Sequence, residues 1–317
     1  MIDAAPIFVL GSFVAACSAK VARLPMAGES LLASHFVLEP GGKGFNLAVG
    51  ARRLNLDVDG LLAVGADLFA DFAQSALRRA ELPLGMLVRY NGPSGAGIGF
   101  IQEDGENCLA VYPGANAKLS AAEIMRAANR ITGAKLVLAQ FEISDEPIER
   151  AFALARQAGA TTLLNPSPYR AIRPAILAHT SILAVNRVEA QCLASQYGLQ
   201  TDHTEGLNQL ARALFAQGLE ALIVTQGAEG AWIWEKPSSP YWQPPFKVAA
   251  VDTLGAGDAF IAGFAAAFTQ DLGLRHCMRW GAAAGAIATT RPGVFEALPD
   301  RAQLEKFLEQ IGSAKII

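Results

Sequence analysis

Between residues 61 and 225, short apolar runs alternate with longer amphipathic stretches, and this rhythm restricts the fold more than any other feature. The runs at 61–64, 85–90, 135–139, 161–164, 181–185 and 221–225 are nearly continuous in apolar residues. Those at 67–80, 146–158, 171–177, 187–196 and 205–217 repeat at helical spacing. A strand apolar at successive positions is buried on both faces, and intervening helices supply the cover. The pattern predicts an α/β protein of three α/β/α layers with a mostly parallel central sheet. Such sheets bind ligands beyond the carboxyl ends of their strands. Asn165-Pro166, Asn186, residues 225–227 and the segment 251–258 all fall there.

Two regions break the rhythm. Near the start, a strand at 7–10 is followed by strand-like stretches at 13–17 and 31–37, then by Gly41-Gly42-Lys43-Gly44 and an amphipathic helix at 45–54. Later, 95–103 and 107–112 read as a hairpin closed by Glu103-Asp104-Gly105-Glu106, with no helix attached. Together these predict a small second sheet, inserted from about 12–40 and 95–113 into a single domain spanning 1–317. Set over the mouth it would be a lid that excludes water; alternatively it extends the main sheet. A bare apolar face on it would invite a dimer.

The most informative turn is VDTLGAGDAF at 251–260, where an expected apolar strand exit (248–251) meets a helix at 259–269. Gly255 and Gly257 let backbone N–H groups converge, and a helix N-terminus adds positive charge, so the turn suits an anion. Asp258 would be repelled by a phosphate unless it acts there as a general base; the other reading is a first-turn helix cap. The GGKGFN stretch lacks the spacing of a phosphate-binding Walker loop. It is either a close-approach turn with Asn46 aimed at hydroxyls or an ordinary glycine entry into a helix.

Composition narrows the function classes. Of 317 residues 52% are hydrophobic and only 17% charged, with net charge −3 and no Lys/Arg run, so a nucleic-acid partner is not expected. Cys17, Cys108, Cys192 and Cys277 are scattered without a CxxC pair, as suits reduced thiols in the cytoplasm. The opening MIDAAPIFVLGS is a poor signal peptide, and the small-residue run at 280–290 is too short to span a membrane.

Taken in order, VLGS (9–12), GGKGFNLAVGARRL (41–54), DGEN (104–107), PGANAKLS (113–120), QFE (140–142), LNPSP (164–168), NRVEA (186–190), TQGAEG (225–230) and DTLGAGDAF (252–260) resemble the ribokinase family of carbohydrate kinases, the phosphofructokinase-B type, over nearly the full chain. The resemblance implies an ATP-dependent kinase with Mg²⁺. In it Asp258 is the catalytic base, and the N–H groups of Gly255, Ala256 and Gly257 form an anion hole. Gly42, Lys43, Asn46 and Glu142 would bind the sugar. Asn186 and Glu189 would organise phosphate and water-bound Mg²⁺, while Thr225, Gly227 and Gly230 hold the nucleotide and Ala282 flanks the adenine. A K⁺ site would use Asp252, Leu254, Ala288, Arg291 and Gly293. A homodimer through the lid sheet is also implied.

Several residues keep a second reading. Glu189 could be a solvated helix carboxylate and Glu142 a helix-start acid. His35, His179, His203 and His276 lack partners in sequence, and Trp232, Trp234 and Trp242 read as strand packing. The chain also departs from the family: Val14 and Ala16 stand where ribose-specific members carry Asn and Asp, and Ala297 replaces an oxygen-bearing side chain. A site built for hydroxyls loses much when those groups become apolar, which argues against ribose. The expected substrate is a sugar or sugar acid; the alternatives are a nucleoside, or a non-catalytic sugar-binding regulator.

Overall fold

The computed structural model describes residues 7–102, 107–201 and 203–313. Among these the strands, in chain order, are β1 (Ile7–Ser12), β2 (Val14–Val21), β3 (His35–Gly41), β4 (Val58–Val64), β5 (Leu87–Arg89), β6 (Gly95–Gln102), β7 (Asn107–Tyr112), β8 (Leu136–Gln140), β9 (Thr161–Asn165), β10 (Ile182–Asn186), β11 (Ala221–Thr225), β12 (Ala231–Glu235) and β13 (Tyr241–Gln243). They form a nine-stranded sheet, ordered β13-β12-β11-β10-β9-β8-β1-β4-β5, and a four-stranded sheet, ordered β3-β2-β6-β7. The large sheet is parallel from β5 to β11, and β12 and β13 add an antiparallel edge.

Alternate strand residues face opposite helix layers, as the two-residue period requires. Ile7 and Val9 join Leu62, Leu136 and Ile223 under helices Lys43–Arg53, Ala256–Phe268 and Leu274–Ala288. Phe8 and Leu10 join Leu61, Val137 and Leu222 under helices Asp145–Gln157, Arg187–Ser195 and Thr204–Ala216. On the first face two helices approach very closely. A Cβ on Gly263 would lie 2.6 Å from the Trp280 carbonyl, and one on Gly281 would lie 2.8 Å from that of Phe260. Small residues at the crossing are therefore a packing requirement.

The smaller sheet exists as expected and is continuous with neither face of the large one. Asn116 pins its entry: its Oδ1 accepts the Phe13 N–H (3.1 Å), and its Nδ2 donates to the Phe13 carbonyl (2.8 Å). The turn 103–106 lies outside the described residues.

Three expectations need correction. No strand forms at 248–251; β13 ends at Gln243, before Pro244-Pro245, and prolines cannot donate to a ladder. Instead the N–H groups of Val251 and Asp252 both reach the Thr289 carbonyl (2.7 and 3.2 Å). The stretch expected as a strand at 31–37 begins only at His35, with Leu32 97% exposed. The helix expected at 171–177 shortens to Pro174–Leu177, because proline is accommodated in the first turn of a helix but not within it.

Candidate active site

Of the polar groups expected at the mouth, Asn165 closes β9, Asn186 β10 and Thr225 β11, while 251–258 closes no strand; Ser12 at the end of β1 and Gln140 at the end of β8 join them. Two glycine turns complete the ring. In the first, Gly42 adopts φ +96° and caps helix Lys43–Arg53 without a side chain. The orphan N–H of Lys43 donates instead to Glu142 Oε2 at 2.8 Å, and the Ser12 hydroxyl donates to the same oxygen. Glu142 thus serves as a helix-start acid supplied from a distant loop, and it lies beside the proposed sugar turn. One helical turn on, Asn46 Nδ2 donates to Asp258 Oδ2 at 3.0 Å. That bond joins residues 212 positions apart and fixes the two turns to each other.

In the second turn Gly255 is left-handed (φ +73°) and caps helix Ala256–Phe268, leaving Asp258 in the first turn and 5% exposed. Burial pushes the Asp258 carboxyl up from its ordinary range, against the opposing pull of Lys43 and the Asn46 hydrogen bond. For Lys43 burial pulls downward, but the carboxylates of Asp258, Glu142 and Glu189 outweigh it, and its pKa rises. The result is a buried carboxylate facing a cation that stays charged. Of the three expected anion-hole donors, Ala256 N–H already reaches the Thr253 carbonyl (3.3 Å), whereas Gly255 and Gly257 donate no hydrogen bond among the described residues. A Cβ built on Gly257 meets no atom within 4 Å, so open space lies in front of it. Asn46 Oδ1 and Gln140 Oε1 are buried without partners nearby.

Asn186 and Glu189 form a capping box: Asn186 Oδ1 accepts the Glu189 N–H (2.8 Å), and Glu189 Oε2 accepts the Asn186 N–H (2.9 Å). Asn186 stands opposite Thr225 in the ladder. Asp252 is used twice, accepting from Leu254 N–H (2.9 Å) and Gly293 N–H (3.0 Å), so it ties together the two loops of the expected cation site. Arg291 is exposed beside them, and Ala288 is buried at the end of helix Leu274–Ala288. Gly227 (φ +57°) faces open space, while a Cβ on Gly230 would lie 2.4 Å from the Gln243 carbonyl, which makes Gly230 a packing glycine. Ala282 is half-buried on helix Leu274–Ala288; no hydrogen bond links it, Thr225, Gly227 or Gly230 to Asp258.

The sequence reading passed over Ser12, Gln140, Asn116 and Glu39. Ser12 and Gln140 sit inside motifs it singled out and were legible as strand-end polar groups. Asn116 and Glu39 gain their meaning only from tertiary placement. Among the described residues no group of three or more His, Cys, Asp or Glu is arranged to hold a metal by itself.

Residues 4–301 match the family model described as pfkB family carbohydrate kinase. The chain is 32% identical over 308 residues to a deoxyribokinase of Salmonella typhi, covering 95% of this chain and 98% of that one. It is 29% identical to a ribokinase of Haemophilus influenzae, covering 95% and 97%. Among solved structures it superposes on an Arabidopsis thaliana ribokinase complexed with ribose and ATP (TM-score 0.89, 27% identity, 96% and 98% covered). A ribokinase of Thermotoga maritima is similar (TM-score 0.87, 28% identity, 96% and 99% covered). The chain belongs to the pfkB family of carbohydrate kinases.

Proposed function

We propose that this ATP-dependent carbohydrate kinase phosphorylates a hydroxyl of a small sugar or sugar acid, with Asp258 as the general base. The observation that carries the reading is the placement of Asp258: a buried carboxylate, oriented by Asn46, in the first turn of a helix whose N-terminal glycine N–H groups are unpaired, with open space beside Gly257. A carboxylate stands in an anion cradle at an electrostatic cost, and proton abstraction gives it a use there.

ATP supplies the phosphoryl group, and Mg²⁺ held through water by Glu189 and the Asn186 turn would neutralise its charge. The chain's own residues do the rest. Asn46 holds the Asp258 carboxylate toward the mouth, and Asp258 takes the proton of the attacking hydroxyl. The N–H groups of Gly255 and Gly257 meet the charge that develops on the transferred group. Lys43 offsets the buried negative charge of Asp258 and Glu142, and orphaned Asn46 Oδ1 is a free acceptor for a substrate hydroxyl. Thr225 and Gly227 would border the nucleotide, beside Ala282. K⁺ near Asp252, Leu254 and Gly293 would stiffen the loop that carries the anion hole.

In this reading the four-stranded sheet is a lid on a single kinase domain working in the cytoplasm. Its outward face exposes Phe36 (64%), Leu38 (43%), Ile98 (58%) and Tyr112 (55%), which supports a homodimer through the lid. Light scattering checks this; a monomer at micromolar concentration would remove it.

The direct test is ADP release with ATP and Mg²⁺ across pentoses, hexoses, sugar acids and nucleosides, with Asp258→Asn alongside. Turnover that collapses in the variant supports the assignment. Activity that survives removes Asp258 as base. Sugar binding without turnover would favour a regulator.

A further inference from the structure

We propose that Glu39 is a specificity-determining residue, receiving a hydroxyl of the acceptor from the lid; the proposal rests on the kinase reading above. In the β2–β3 ladder Ala16 lies opposite Glu39 and Val14 opposite Gly41, so these four share one face of the four-stranded sheet. Across β2 the same face carries Gly95 and Gly97. A Cβ on Gly97 would touch Val14 Cγ1 at 3.6 Å, and one on Gly41 would touch Ala16 Cβ at 3.6 Å, which confirms the shared side.

Glu39 shows where that face looks. Its Oε2 stands 3.6 Å from a Cβ built on Gly293, and Gly293 is bound to Asp252 in the loop that leads to Gly255 and Asp258. The face bearing Val14 and Ala16 therefore turns toward the catalytic mouth, while Phe36 and Leu38 point away. At the mouth end of this face, positions 14, 16, 41, 95 and 97 carry only aliphatic side chains or none, and Glu39 is the acid among them.

Glu39 is half-buried, and its carboxylate makes no hydrogen bond or ion pair among the described residues. Burial, and then the nearby carboxylates of Asp252 and Glu296, push its pKa upward. Like charges give Glu39 no electrostatic reason to latch onto that loop. This leaves a carboxylate that lacks a donor, at the rim of the site where the acceptor's hydroxyls must lie. Opposed residues on neighbouring strands have Cβ atoms about 4.5–5.5 Å apart, so Glu39 covers the ground above Ala16.

The test measures kcat and KM for wild type, Glu39→Ala, Glu39→Gln and the double variant Glu39→Ala/Ala16→Asp, on sugars and on their monodeoxy analogues. Loss of a hydrogen bond to a charged group predicts a roughly 10- to 100-fold fall in kcat/KM for the preferred sugar, mostly through the sugar KM. On the analogue lacking the contacted hydroxyl, wild type and Glu39→Ala should agree. Moving the carboxylate across the ladder with Ala16→Asp should restore part of the loss. An unchanged sugar KM, a uniform loss on every analogue, or a shift confined to the ATP KM overturns the proposal while the kinase reading stands. A wild type that turns over no acceptor at all overturns the kinase reading itself, and this proposal with it.

Discussion

The two glycine turns look alike in sequence and are opposite in structure. In the first, a Cβ on Gly44 would lie 2.5 Å from Ser12 N, and one on Gly42 would lie 2.8 Å from the Ser12 carbonyl. These glycines exist because the helix start is pressed against β1. In the second, Gly257 faces nothing within 4 Å, and only a Val294 methyl crowds Gly255. No neighbouring atom requires Gly257 to be small, whereas Gly255 is held by its left-handed φ and by Val294. One turn is closed by packing, and the other is left open at Gly257.

The largest expected effect lies on the open turn. Asp258→Asn should lower kcat by ~10²–10⁴ while the protein remains folded, as circular dichroism would show. Its stability should move the other way. Burial raises the Asp258 pKa, so the fold holds that proton more tightly than the unfolded chain does. The contribution is full below the unfolded value, about 3.9, and is lost as pH rises through the raised one. At pH 7.5, above the unfolded value, wild type has lost some of that contribution, which Asn never depends on, and the variant should melt no lower than wild type. The gap should close as the pH approaches 4. A variant that melts lower at pH 7.5 would show that the Lys43 attraction outweighs burial.

Alanine at each turn separates the two roles. Gly257→Ala should leave the melting temperature unchanged or raise it, since glycine costs roughly 0.5–1 kcal/mol against alanine in a helix. Its kcat should fall by about 10²–10³ if the methyl displaces the transferred phosphoryl group from its donors. Gly44→Ala should do the reverse: about 1–3 kcal/mol of stability lost, because its Cβ meets backbone that must shift. Paired thermal melts and steady-state rates check both. Equal behaviour of the two variants would break the comparison.

How much of this was written in the chain follows from how local each signal is. The parallel sheet was legible because its strands are apolar at successive positions, and the GAGD turn because its residues are contiguous. The Asn46–Asp258 bond spans 212 positions and was reachable only through the family resemblance. The position of Glu39 opposite Ala16 depends on strand register, which a stretch of thirteen residues between β2 and β3 does not specify. The false strand at 248–251 shows the limit of hydropathy: four small apolar residues follow two prolines and find no partner strand. Helix Leu274–Ala288 escaped because much of its buried face is Gly and Ala, suited to close approach, and read in sequence as a small-residue run.

The N-x-x-E element is the smallest test and the sharpest, because its signature serves two ends. The capping box accounts for Asn186 and for one Glu189 oxygen without any metal. The same carboxylate is 5% exposed and close enough to raise the Lys43 pKa, which a mere cap has no need to be. Glu189→Gln keeps the reach back to the Asn186 N–H, so as a cap it should cost less than about 1 kcal/mol in a denaturant titration. If Glu189 also organises Mg²⁺, the variant should need several-fold more Mg²⁺ for half-maximal rate, while its sugar KM stays put. A Mg²⁺ titration matching wild type would reduce Glu189 to the helix cap it visibly is. The open turn around Gly257 and Asp258 would then have to draw its cation from other groups at the mouth.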